Sequence, residues 1–157
     1  MIVAFLESFQ AGDIIEPPKL VHVTVKKKFK LIKSSEAELI QLVQKETKKI
    51  GLVILKLGVS RTYDNDAFMV IEVLDGAIWS SMHERLAAAL EETSESRDPH
   101  FEGANYYPHV SWKVRNQMMF DPNQYFNTTN KLPCLYLIKR IHPTESRVMV
   151  MAELPLI

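Results

Sequence analysis

The pentapeptide His22-Val23-Thr24-Val25-Lys26 recurs nearly unchanged as His109-Val110-Ser111-Trp112-Lys113, 87 residues further on (109 − 22). Both copies are rich in β-branched and aromatic residues, which favour extended chain over helix. Side chains alternate along a strand, so His22, Thr24 and Lys26 share one face, with Val21, Val23 and Val25 on the other. The second copy sets Tyr107, His109, Ser111 and Lys113 against Pro108, Val110, Trp112 and Val114. Two strands of this kind are stable only where a further layer covers their apolar faces. Pro108 has no N–H to give a ladder, which puts it at a sheet edge or a strand start.

The rest of the chain supplies that layer. Short apolar or alternating runs predict strands at IVAFLES, LVHVTVK, LVILKLGV, AFMVIEVL, YYPHVSWKV, CLYLIKRI and RVMVMAEL, the last two a hairpin around HPTES. Two segments carry helical spacing. Ser35 and Glu38 form a capping box ahead of Leu39, Leu42, Val43 and Ile50, with the helix ending at Gly51. From about Ala77, Ile78, Met82, Leu86 and Leu90 recur every four residues, and the polar stretch ETSESRDP ends that helix. The turn RTYDND and the aperiodic stretch NQMMFDPNQYFNTTNKLP are read as loops. The order strand, strand, helix, strand, strand, helix, then three strands predicts an α+β fold with antiparallel sheets. Each motif copy falls in a similar half, so the expectation is an internal duplication: two antiparallel sheets in two lobes, facing a central groove with helices packed outside. At 157 residues the chain fits one such domain, residues 1–157.

Charge narrows the partners. Lys plus Arg equals Asp plus Glu, 19 each, so no overall cationic field exists to hold long duplex nucleic acid. Lys and Glu interrupt every apolar run before it reaches membrane-spanning length, and MIVAFLESFQ reads as a strand rather than a leader. The lone Cys134, in the apolar run CLYLI, has no internal disulfide partner and reads as an inert core thiol. A soluble, cytoplasmic monomer is expected, with no cofactor.

The polar faces of the two copies bring together two imidazoles, two hydroxyls and two ammonium groups. Two histidines with ordinary values of about 6.5 can split into a neutral proton acceptor and a charged proton donor. The hydroxyls of Thr24 and Ser111 can donate to the non-bridging oxygens of a phosphate as charge builds there. That set suits cleavage of a phosphodiester without a metal. Lys26 and Lys113 would add positive potential, and Tyr107, on the His109 face, is a candidate to contact the substrate. The blander alternative is two buried, hydrogen-bonded histidines, which leaves the matching hydroxyls unexplained; zinc would lack a third ligand. His83 and His142 are expected at the surface, and His100 precedes the second copy in a loop. The run KKKFK is expected to be a solvated strand end more than a nucleic-acid track. Trp112 is expected in the core, while Tyr63, Tyr106, Arg61 and Arg115 are lesser candidates for base or phosphate contacts.

With its paired H-x-(T/S)-x tetrapeptides, His22-Val23-Thr24-Val25 and His109-Val110-Ser111-Trp112, the chain resembles the two-histidine (2H) phosphoesterase superfamily. That superfamily includes the 2'-5' RNA ligase-like proteins and cyclic nucleotide phosphodiesterases. PPKLVHVTVKKKF resembles its first motif region and NYYPHVSWKV its second. The resemblance implies a bilobal fold and metal-independent cleavage of 2',3'-cyclic phosphates or 2'-5' linkages in small nucleotides or RNA ends. It also implies catalysis by His22 and His109, with phosphate held by Thr24 and Ser111. The second motif carries Ser in the hydroxyl position, and the link from the first strand to His22 is shorter than in many relatives. Two alternatives stand beside this expectation: a non-catalytic RNA- or nucleotide-binding protein, and an enzyme that degrades cyclic oligonucleotide signals, as some phage-encoded relatives do.

Overall fold

A computed structural model describes residues 1–16, 21–63, 68–113 and 121–156, with the backbone alone for Tyr63, Phe68, Phe101, Trp112 and Lys113. Its strands are β1 (Ile2–Phe5), β2 (Ile14–Ile15), β3 (His22–Lys26), β4 (Phe29–Leu31), β5 (Val53–Tyr63), β6 (Phe68–Val73), β7 (Ser94–Ser96), β8 (His109–Lys113), β9 (Thr129–Leu132), β10 (Cys134–Arg140) and β11 (Val148–Pro155). The helices are α1 (Glu36–Thr47) and α2 (Gly76–Leu90). Nine strands join in the order β2-β11-β10-β1-β3-β8-β6-β5-β9, while β4 and β7 pair separately. Every neighbouring pair is antiparallel, so the fold is the expected α+β class. β3 pairs directly with β8, so both motif copies lie at the centre of one nine-stranded sheet. Pro108 therefore marks a strand start, not an edge.

All seven predicted strands are present. The four additional ones, β2, β4, β7 and β9, have two to four residues each, too short for alternation to register. Of the predicted turn, residues 61–63 instead continue β5; its residues 64–66, together with Ala67 at the head of the next predicted strand and Val114, Arg115 and residues 116–120, lie outside the described residues. The remainder of the predicted long loop holds a 3-10 turn at Pro122–Tyr125 and then β9, which pairs with β5.

One face of the sheet packs on the helices. Ser35 caps α1 as expected: the Glu38 N–H donates to Ser35 Oγ at 3.3 Å, and the Ser35 N–H donates to Glu38 Oε2 at 2.7 Å. The helix stops at Thr47, before the expected Gly51, and a turn closed by Ile50 N–H to Thr47 O follows. In α2 the buried stripe is Trp79, Met82, His83, Leu86 and Leu90, while Ile78 is 49% exposed, which corrects the expected stripe by one residue at its start. Size decides this. An aromatic side chain buries about 150–250 Å² at about 25 cal/mol per Å². That exceeds the roughly 1.5–3 kcal/mol available from an isoleucine, so Trp79 sets the helical phase. Position 83 then falls one turn beyond it, facing the sheet.

Among the described residues the opposite face is covered only in part. Val3, Phe5, Tyr136, Ile138 and Val150 form a second cluster, with Phe9 packed over it. The covering segment is tied down by the Phe9 N–H to Tyr136 Oη (3.2 Å), Gly12 N–H to Val150 O (2.8 Å) and Val150 N–H to Asp13 O (2.9 Å). Gly12 takes a φ of +96° in that turn, which a side chain would resist. Cys134 is buried as expected, and desolvation holds its thiol above the ordinary value. Among the described residues no helix is long and apolar enough to cross a membrane.

Candidate functional site

The site begins with one backbone pair, Val23 opposite Val110, both fully buried on the helix face. In an antiparallel ladder the flanking residues oppose one another crosswise. His22 therefore stands level with Ser111, and Thr24 level with His109, all four on the face away from the helices. The two histidines are diagonal neighbours, as are the two hydroxyls. Diagonal positions lie about 7–8 Å apart, so the quartet surrounds a patch only a few ångströms wide.

The neighbouring strands extend this face. On one side Phe5 pairs with His22, and their rings meet edge to face at 5.7 Å between centroids, making the second apolar cluster a wall beside His22. On the other side Glu72 pairs with His109 and Val70 with Ser111. Glu72 Oε2 accepts from Arg61 Nη2 at 2.8 Å, so both an acid and a guanidinium border the second motif. Gly58 makes room for Glu72, because a Cβ there would stand 2.8 Å from Glu72 Cγ.

His109 is half-buried, and its Nδ1 lies 2.7 Å from the carbonyl of Tyr107. A carbonyl can only accept, so Nδ1 carries the proton and Nε2 is left with a lone pair in the neutral ring. Burial lowers the affinity of His109 for a second proton; the Tyr107 carbonyl opposes this, and the charge of Lys27 adds to it, for a net shift below the ordinary value. The Tyr107 ring stacks on His109 at 5.4 Å and remains 41% exposed, as its place on that face predicts.

Lys26 departs from its expected place. The ladder between β1 and β3 slips, with Val3 opposite Thr24 but Ile2 opposite Lys26, so one extra residue, Val25, is accommodated as a bulge. A bulge reverses the alternation beyond it. Lys26 consequently joins Val23 and Val25 on the helix face, where it is 4% exposed and ion-paired to Glu102. Its place on the histidine face passes to Lys27, whose half-buried ammonium acts on His109 and is itself held below the usual lysine value, chiefly by burial. Sequence reasoning missed Lys27 because alternation has no way to announce an inserted residue. Lys113 ends β8, and its side chain lies outside the described residues, as do those of Trp112 and Tyr63.

Hydrogen bonds on the helix side of the sheet crosslink the two motifs. The segment 102–108, which leads into His109, crosses β3 and is fastened to it at three points. Glu102 binds Lys26 and accepts from Ser96 Oγ at 2.6 Å. Tyr106 donates its hydroxyl to Thr24 O at 2.9 Å, and burial raises its pKa. His83, expected at the surface, is instead 1% exposed. Its Nδ1 lies 2.8 Å from Val25 O, its Nε2 accepts from the Gly103 N–H at 3.2 Å, and its ring stacks on Tyr106 at 4.2 Å. Those two partners require a neutral ring protonated on Nδ1. His142 and His100 are exposed, the former bonded to Thr144 at 2.8 Å. Among the described residues no three His, Cys, Asp or Glu side chains converge as a metal-binding group.

Comparison with protein-family models and with curated proteins finds no match to this chain.

Proposed function

We propose that the chain is a two-histidine phosphodiesterase that needs no metal and acts on 2',3'-cyclic phosphates or 2'-5' linkages of nucleotides or RNA ends. The observation that carries this reading is the Val23–Val110 pair, which sets two histidines and two hydroxyls crosswise on one face of the sheet. The gap of about 7–8 Å between diagonal positions suits one tetrahedral phosphate bridged by a hydrogen bond from each imidazole. The sheet order supports an internal duplication read about that pair: β3, β1 and β10 run outward on one side as β8, β6 and β5 do on the other. The two halves are the proposed lobes, with the motif face as the groove between them.

The geometry favours a division of labour. His109 has its Nδ1 proton engaged by Tyr107 O and disfavours a second proton, so its Nε2 is the general base. It takes a proton from water, whose oxygen attacks phosphorus. The bond from phosphorus to the leaving ribose oxygen breaks, and His22, as imidazolium, protonates that oxygen. Thr24 and Ser111 donate to the non-bridging oxygens, and Lys27 supplies positive potential in the place expected for Lys26.

The test is a panel of 2',3'-cyclic nucleotides, 2'-5' oligoadenylates and cyclic dinucleotides incubated with the protein in EDTA. Turnover that His22→Ala and His109→Ala each reduce at least about a hundredfold is expected. Turnover that survives both substitutions, or ligand binding without turnover, would defeat the assignment.

A further inference from the structure

A cleft of about 600 Å³ opens away from the histidine quartet, between β4, the start of α1 and the β10–β11 hairpin. None of His22, Thr24, His109 or Ser111 lines it. Its volume falls within the range of small-molecule sites, about 300–1,000 Å³. Five cations surround it, Lys28, Lys30, Arg97, Lys139 and Arg140, against one carboxylate, Glu36. Formal charge on the lining is thus +4 (5 − 1), in a chain whose net charge is zero. The concentration is local.

The state of those cations gives the cleft its meaning. Glu36 is engaged by Lys139, and Arg140 Nη1 donates to the Pro143 carbonyl at 3.1 Å. Among the described residues Lys28, Lys30 and Arg97 have no carboxylate within 4 Å. Like charges held around a concavity repel unless an anion sits between them. Backbone pairing keeps them there: β4 pairs with β7, and the Arg97 N–H donates to Lys28 O at 2.9 Å. Between the cations the surface is apolar, with Phe29, Leu31, Leu137 and Met151 in the lining and Phe29 and Leu31 only half-buried.

We propose that this cleft is a second ligand site, for the polyphosphate of a nucleotide, with the base lying against Phe29. A carboxylate would leave about +3 of the +4 uncompensated and a single phosphate about +2, whereas two or three phosphates balance it. A flat apolar group is needed to cover Phe29 and Leu31. The phosphates can come from a free nucleoside di- or triphosphate or from the 5' end of a triphosphorylated RNA. The site stands independently of the phosphodiesterase reading.

The test is calorimetric titration of the full chain with AMP, ADP, ATP, inorganic tripolyphosphate, and a short RNA bearing a 5'-monophosphate or 5'-triphosphate. ADP and ATP are expected to bind more tightly than AMP, and a tighter triphosphorylated RNA than ATP would identify RNA as the source. Lys30 and Arg97 are exposed, so Lys30→Ala/Arg97→Ala leaves folding intact and should weaken ATP roughly tenfold. Phe29→Ala should weaken ATP but not tripolyphosphate, and His22→Ala/His109→Ala should change neither. The proposal fails if ADP and ATP bind no better than AMP, or if the histidine pair abolishes binding that Lys30→Ala/Arg97→Ala spares. Tripolyphosphate binding as tightly as ATP would overturn the nucleotide assignment.

Discussion

Glu102→Gln should destabilise the protein far more than a surface charge change, and the reason lies in its partner. Lys26 is 4% exposed and Glu102 20%, so neither end of the ion pair is freely hydrated. Removing the carboxylate strands an ammonium in the interior. Breaking a buried pair costs about 3–5 kcal/mol, and the partial exposure of Glu102 points to the lower end, about 3 kcal/mol. Gln retains an acceptor for Ser96 Oγ, which isolates the charge from the hydrogen bond. Lys26→Met removes the ammonium while keeping its apolar stem, so the double variant Lys26→Met/Glu102→Gln should recover to within about 1 kcal/mol of the parent. Urea unfolding monitored by tryptophan fluorescence gives the double-mutant cycle, with an expected coupling of at least about 2 kcal/mol. Burial alone would raise the pKa of Glu102, but the hydrogen bonds from Lys26 and Ser96 outweigh it and hold the carboxyl below its ordinary value of 4.5. Its contribution is therefore complete above that value and is lost as pH falls through the lower, folded-state pKa. The penalty of Glu102→Gln should shrink in the same acid range. Strict additivity in the cycle, or a penalty below about 1 kcal/mol at pH 7, would refute the reasoning.

Three further outcomes follow from the site. Burial and the Lys27 charge hold His109 below its ordinary 6.5, so the acid limb of a pH–rate profile should have its midpoint under that value; Lys27→Met should move it up, and a downward move would contradict the assignment of Lys27. His83→Ala removes both bonds and the ring stack, with an expected loss of about 3 kcal/mol and faster amide hydrogen exchange at Gly103; unchanged exchange would show that the segment is held by other means. Gly58→Ala drives a methyl into Glu72, at a cost of about 1–3 kcal/mol, and Glu72→Ala should relieve it; equal stability of Gly58→Ala and the parent would count against the close packing.

Most of the frame was readable because alternation and helical spacing are strong over seven or more residues. The strands of the motifs, the Ser35 capping box and the two helices all follow from local pattern. What escaped depends on events that no local pattern records. The Val25 bulge moved Lys26 to the helix face and Lys27 to the histidine face. The bulk of Trp79 reset α2 and took His83 inside, although counting one turn from Trp79 rather than Ile78 would have found it. Glu72 beside His109 was invisible because it comes from a strand whose register only pairing reveals. The direct union of β3 and β8 is likewise a tertiary fact, since strand order within a sheet is not written in strand order along the chain.

A nine-stranded sheet would ordinarily be an aggregation hazard, because its outer strands offer unpaired backbone to any passing copy. Here the outermost strands are β2, with two residues, and β9, whose four residues are Thr, Asn, Lys and Leu. Neither offers the long, flat, apolar template that edge-to-edge growth needs. The breadth that sets two motifs side by side at the centre is thus tolerated by brevity at the rim. Replacing Asn130 and Lys131 of β9 with β-branched residues is the change by which this sheet would begin to recruit its own copies.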